Sequence, residues 1–224
     1  MQINTYSDSS EWVQGVIKHI VSLSEKAIQE SGQFNIVLSG GSTPQLIYQQ
    51  LRDIRTEWKY WKFWIADERM PVDNFNDFNS TMIFDYLFNY IPITKEQVNF
   101  ISVTTDVNTA TQLYIERLAG VGIFDLALLG VGEDGHTASL FPGNNWGLDH
   151  NSPDVIDILN SPKLSSQRVS LSAKRLMQSN SIFYIAKGIG KKDVIDQILT
   201  NENLPISIIR GFKDTTLYYC LQDL

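Results

Sequence analysis

His136 is the residue of this chain best placed to activate water. It closes the segment Gly130-Val131-Gly132-Glu133-Asp134-Gly135-His136, which follows the apolar run at 124–129. That run reads as a buried strand, so the imidazole is presented on a glycine-rich loop at a strand end. An imidazole takes up a proton near neutral pH, and Asp134 is the nearest carboxylate able to orient the ring or stabilise its cation. His19 falls within a helical pattern and His150 in a polar stretch, so neither has a comparable setting. Taken alone, His136 also fits a loop histidine that hydrogen-bonds its own turn.

The same segment spells G-x-G-x-x-G after a strand, the fingerprint of a dinucleotide site. Two features argue against that ligand. Pro142 and Gly143 cut short the helix that would have to follow, and Glu133 and Asp134 would place negative charge beside a pyrophosphate.

A second loop, Ser39-Gly40-Gly41-Ser42-Thr43-Pro44, lies between an apolar run at 34–38 and a helical pattern carried by Leu46, Ile47 and Leu51. Two glycines let backbone N–H groups approach an anion, and a helix N-terminus favours negative charge. The same residues also make a plain strand-to-helix turn, with Ser42 or Thr43 as cap and Pro44 in the first helical turn. Asp67-Glu68-Arg69 follows a strand at 62–66, at the carboxyl end where α/β sheets hold ligands. There Arg69 suits phosphate or carboxylate and the acids suit hydroxyls, although such a triplet is equally an ordinary solvated loop. Arg168 opens a later strand, and Lys191 follows Gly188-Ile189-Gly190 at the start of a helix. A cation beside a glycine turn is one recurring way to hold phosphate, and each is also an ordinary surface charge.

Composition decides how local such contacts must be. The chain has 224 residues and a formal net charge of -7. An acidic protein does not meet nucleic acid or an anionic membrane through a basic face, so cations for an anionic ligand have to be gathered at one place. Residues 1–224 are enough for one domain with a sizeable core. The first residues carry no export signal, and no apolar run reaches the length of a membrane span. The single cysteine, Cys220, sits in an apolar stretch and reads as a buried thiol in a reducing compartment, so the expected location is cytoplasmic. There is no Cys/His ligand cluster, no metal or organic cofactor is expected, and a monomer is the default.

The elements that must position these residues follow from periodicity. Asp8, with Glu11 three residues on, starts a helix that continues through Trp12, Val16, Ile20 and Ala27. Strands are predicted at 34–38, 62–66, 98–101, 124–129, 168–171, 181–186, 205–209 and 216–221. Helices are predicted after Pro44, from Asn79, and at 106–118, 173–180 and 190–200. The stretch 143–167, rich in Asn, Asp, Ser and Pro, reads as a surface excursion holding a short helix near 155–159. Strands alternating with helices specify an α/β sheet covered on both faces.

Three segments together resemble the 6-phosphogluconolactonase family: Leu38-Ser39-Gly40-Gly41-Ser42-Thr43-Pro44, Asp67-Glu68-Arg69, and the loop from Gly130 through His136-Thr137-Ala138-Ser139-Leu140-Phe141-Pro142-Gly143. Ser161-Pro162-Lys163, Arg168-Val169-Ser170-Leu171 and Gly188-Ile189-Gly190-Lys191 are similar to its later motifs. The sequence departs from the family pattern at Phe78-Asn79, where Ser-Asn is usual, and at Met70-Pro71-Val72; residues 205–224 match only as generic strands. The resemblance implies a three-layer, modified Rossmann-like α/β fold with helices on both faces, shared with sugar-phosphate isomerases and glucosamine-6-phosphate deaminases. It implies 6-phospho-D-glucono-1,5-lactone as substrate and no cofactor. The residues it singles out are His136 and Asp134 for catalysis, and Ser39, Gly40, Gly41, Ser42, Thr43, Asp67, Arg69, Arg168 and Lys191 for substrate. Two other readings stand beside it: an isomerase or deaminase moving a proton between C1 and C2, and a catalytically silent sugar-phosphate sensor.

Overall fold

Helical crossovers return the chain to the same end of a sheet each time, so strands joined by them pair in parallel. The computed structural model describes residues 1–70, 78–104 and 106–223. Pro71 and Val72, where the sequence departs from the family pattern, lie outside the described residues. In chain order the elements are β1 (Gln2–Tyr6), α1 (Ser9–Ser31), β2 (Phe34–Leu38), α2 (Ser42–Leu51), β3 (Trp61–Ile65), β4 (Asp67–Met70), α3 (Asn79–Tyr86), β5 (Val98–Asn99), α4 (Val107–Leu118), β6 (Phe124–Gly130), β7 (Val155–Ile158), β8 (Gln167–Leu171), α5 (Ala173–Met177), β9 (Ser179–Lys187), α6 (Lys192–Gln197), α7 (Pro205–Ile208) and β10 (Asp214–Cys220). The Asp8 carboxylate caps α1 by accepting the Glu11 N–H, and Gly32 ends the helix in the left-handed region at φ 77°.

Seven strands form one parallel sheet in the order β1-β10-β9-β6-β2-β3-β5. Ile36, Val37, Leu126, Ala127, Ile182 and Phe183 are fully buried, as consecutive strand residues are when helices flank the sheet on both sides. The chain runs outward from β2 through β3 to β5, then returns to lay β6 on the other side of β2 and continues to β9 and β10. The strand order therefore reverses between β2 and β6. Loops leaving the carboxyl ends of these two strands diverge, and a crevice opens there.

A second sheet, β4-β8-β7, is small and antiparallel, and it sets Asp67 opposite Ser170 and Arg69 opposite Arg168. Four expectations change. The acidic-basic triplet expected as a loop is part of β4, and the short helix expected near 155–159 is β7; both strands exist because β8 offers distant partners that periodicity does not register. The strand expected at 205–209 is α7: Pro205 fits a first helical turn, it and Ile206 are the helix's buried residues, and Ile209 is buried just past the helix end. β1 was not anticipated, since an edge strand with mostly exposed side chains has no apolar signal.

Candidate active site

Ser39 closes the floor of the crevice. Its hydroxyl donates to the Leu128 carbonyl at 3.0 Å and accepts the Gly130 N–H at 3.1 Å, stitching the end of β2 to the end of β6. Its carbonyl accepts the buried Tyr48 hydroxyl at 2.7 Å. With donor and acceptor both used, this side chain builds the turn and has no hydroxyl proton left for a ligand.

Gly41 is the N-cap of α2, at φ 108° and ψ 164°, a backbone conformation that side chains rarely adopt. Neither Ser42 nor Thr43 caps the helix as expected; they are its first two residues, with Pro44 third, and no side chain caps this end. The N-terminus of α2 therefore faces the crevice without a side-chain acceptor, and its orphan N–H groups and dipole favour an anion. Gly40 is required for a different reason. A Cβ there would lie 1.8 Å from Asn79 Oδ1, and Asn79 Nδ2 is itself bonded to the Asp67 carbonyl at 2.8 Å. Gly40→Ala is expected to cost about 1–3 kcal/mol by overpacking. Thermal unfolding should show a lower Tm, and much of the loss should be relieved when Asn79→Ala is combined with it.

The loop after β6 is built around the imidazole. Gly132 donates its N–H to the His136 carbonyl at 2.8 Å, and a Cβ on Gly132 would fall 2.0 Å from His136 Nδ1. Only glycine lets the ring fold back against the loop. Asp134 accepts the His136 N–H at 3.2 Å and is also hydrogen-bonded to Nδ1. Burial pushes the Asp134 carboxyl up, but the hydrogen bond from His136 and its charge outweigh this and hold the group well below the usual carboxylate range. An ionised carboxylate only accepts, so Nδ1 carries the proton and the lone pair of neutral imidazole is on Nε2. The ring packs on Phe141 with centroids 4.7 Å apart. Beyond it, Thr137 and Leu140 pair around a two-residue turn in which Ala138 sits at φ 48°.

Asp67 ties four elements together. One oxygen accepts the Ser139 hydroxyl at 2.5 Å from the histidine loop and lies 4.0 Å from Arg168 Nη1 of β8; the other accepts Asn79 Nδ2 at 3.2 Å from α3. Arg168, only 6% exposed, also donates to the Leu164 and Ser165 carbonyls at 2.5 and 3.1 Å and has Phe141 5.6 Å from its guanidinium carbon. Glu68, between Asp67 and Arg69, is not in the crevice lining. Its buried carboxylate accepts the N–H groups of Arg69, Asn79 and Ser80, anchoring the first turn of α3. Burial pushes this carboxyl up, and those three amides pull against the shift.

Ser39, Gly40, Gly41, Ser42, Thr43, Asp67, Arg69, His136, Arg168 and Lys191 all line this one crevice, which encloses about 720 Å³ of empty space partly open to solvent. Asp134 is not in the lining; it stands behind His136. Asn79 and Lys163 also belong to the lining and were not among the expected site residues, though each lies in a motif that the sequence displays. Four cations, Arg69, Lys163, Arg168 and Lys191, thus border one cleft of an acidic protein. Burial pushes Arg168 and Lys191 below their ordinary values, against the opposing charges of Asp67 and Glu133 respectively. A bound anion would relieve that penalty. His19 and His150 lie elsewhere, hydrogen-bonded to Tyr218 and Asn151.

A family model described as glucosamine-6-phosphate isomerases/6-phosphogluconolactonase matches residues 7–218. The chain belongs to this family. Among relatives, the 6-phosphogluconolactonase of Haemophilus influenzae is 34% identical over 180 residues, 76% of each chain. That of Thermotoga maritima is 30% identical over 210 residues, 93% of each. The Thermotoga maritima crystal structure matches with a TM-score of 0.89 and 27% identity, covering 97% of this chain and 98% of that one. The Trypanosoma brucei 6-phosphogluconolactonase structure gives 0.82 and 26%, covering 97% and 95%. In this member of the family, no helix among the described residues is long and apolar enough to cross a membrane.

Proposed function

We propose that this protein opens the ring of 6-phosphogluconolactone by hydrolysis, in the oxidative pentose phosphate pathway, with His136 as the base that activates water. The reading is carried by one juxtaposition: His136, backed by Asp134, shares a crevice with an uncapped helix N-terminus and four cations in a chain of net charge -7. The family membership and the names of its relatives support the substrate.

In this mechanism His136 Nε2 takes a proton from water as the oxygen attacks C1 of the lactone. The carbonyl becomes a tetrahedral oxyanion. Asp134 stabilises the imidazolium formed in that step. Collapse of the oxyanion breaks the bond from C1 to the ring oxygen, and imidazolium returns its proton to that oxygen as it leaves. No covalent nucleophile is needed, since a lactone carbonyl is already electrophilic. The phosphate, remote from C1, is held by the first turn of α2 with Arg168 and Lys191, and this binding positions the ester. Arg69 is assigned to phosphate or sugar. Asp67 and Ser39 act by building the site, because their polar side-chain atoms are engaged within the protein. The buried lone thiol of Cys220 suits the reducing cytoplasm, where we place the protein.

The decisive experiment is hydrolysis of freshly generated 6-phosphogluconolactone, corrected for spontaneous opening. Turnover well above background is expected, without exchange of solvent deuterium into a hexose phosphate. Exchange without hydrolysis would favour the isomerase reading, and binding without either would favour a sensor.

A further inference from the structure

We propose that Asp223, near the end of the chain, is a positioning residue that latches the turn carrying Lys191 into the crevice. This rests on the reading that Lys191 meets the anionic end of the substrate.

The turn begins at Gly188, at φ 100° and ψ 149°, where β9 ends, and closes with the Lys191 N–H donating to the Gly188 carbonyl at 3.1 Å. It has no apolar anchor. Ile189 is 57% exposed, none of the three residues Ile189–Lys191 is buried, and no side chain caps α6, which starts at the next residue. Within the turn, hydrogen bonds therefore set the position, and among the described residues those that reach it from elsewhere come from residues 219–223. The Gly188 N–H donates to the Cys220 carbonyl at 3.0 Å, and the Tyr219 hydroxyl donates to the Gly188 carbonyl at 3.2 Å. Both hold only the first residue of the turn. Asp223 reaches further: Oδ1 accepts the Ile189 N–H at 3.0 Å, and the same oxygen would lie 3.0 Å from a Cβ at position 188.

The latch is itself tethered. The ammonium of Lys187, a residue 6% exposed, donates to the Gln222 carbonyl at 3.2 Å and to the Asp223 carbonyl. The Gln222 side chain accepts the Ser9 N–H at 3.0 Å, where α1 begins. A tail held at two neighbouring points can impose a position on the turn instead of following it. One carboxylate acceptor then decides where the Lys191 ammonium stands relative to the first turn of α2.

The test compares single and double variants on 6-phosphogluconolactone. Asp223→Ala should raise KM about 5- to 10-fold, the scale of one ordinary intramolecular hydrogen bond felt indirectly at Lys191, with kcat within twofold. Asp223→Asn keeps an acceptor oxygen and should recover most of that loss. With Lys191→Ala already present, adding Asp223→Ala should change KM less than twofold, because no ammonium remains to be positioned. Amide hydrogen exchange at Ile189 should speed up in Asp223→Ala and not in Lys191→Ala. An unchanged KM in Asp223→Ala, a loss confined to kcat, or full multiplication of the two effects would overturn the proposal. If Lys191→Ala leaves KM unchanged, the substrate role of Lys191 falls and the functional half of the proposal with it; Ile189 exchange then decides separately whether Asp223 holds the turn.

Discussion

Replacing His136 with alanine is expected to lower kcat by about 10²- to 10⁴-fold, the usual worth of a positioned general base. The fold should survive. The bonds that shape this loop, Gly132 N–H to the His136 carbonyl and the pairing of Thr137 with Leu140, are main-chain bonds that alanine keeps. KM should move little, because the cations and the α2 N-terminus that are assigned to the phosphate are untouched. A second readout checks the ground state. Without the imidazole, the Asp134 carboxyl loses the hydrogen bond and charge that hold it down, so its pKa should rise, a change visible by NMR titration. Spontaneous lactone opening has to be subtracted at every pH. A variant turning over within threefold of the parent would leave the proposed base without a role.

Much of the crevice is legible in the residues because its two loops are local structures. Apolar runs announce β2 and β6, and the glycines mark sites where a neighbouring side chain leaves no room for a Cβ, as Gly40 and Gly132 show. The order of strands brings the two loops together, and strand alternation with helices implies that order only as a class. What stayed hidden depends on distant partners. Asp67 meets Ser139 across 72 positions and Asn79 across 12, so a triplet that looks like a solvated loop is a buried strand and hub. Glu68 looks as eligible for substrate as Asp67, yet it is spent on the amides of Asn79 and Ser80. Ser39 reads as a phosphate ligand by motif, and its hydroxyl serves the strand ends instead. In each case the residue type limits the chemistry, while burial and partner geometry choose among the options it leaves.

Arg168 sharpens the same point, since by sequence its loss should act mainly on substrate affinity. Arg168→Ala is expected to raise KM about 10- to 100-fold, the range for losing a charge-assisted contact to phosphate. The structure adds a second consequence. The guanidinium neighbours Asp67 at 4.0 Å and donates to the carbonyls of Leu164 and Ser165, joining β8 to the segment that carries Lys163. Removing one partner of a fully buried ion pair costs roughly 3–5 kcal/mol. Here the crevice admits water and Asp67 keeps the Ser139 and Asn79 donors, so about 2–3 kcal/mol is the better figure, with Tm lowered by roughly 5–10 °C. Arg168→Lys separates the two roles. A lysine keeps a positive charge for phosphate but cannot span the carbonyls and Asp67 as a planar fork, so KM should recover more than Tm does. A variant Arg168→Ala with parental Tm would show that the carbonyl and carboxylate contacts do no structural work, and one with parental KM would remove Arg168 from the phosphate site.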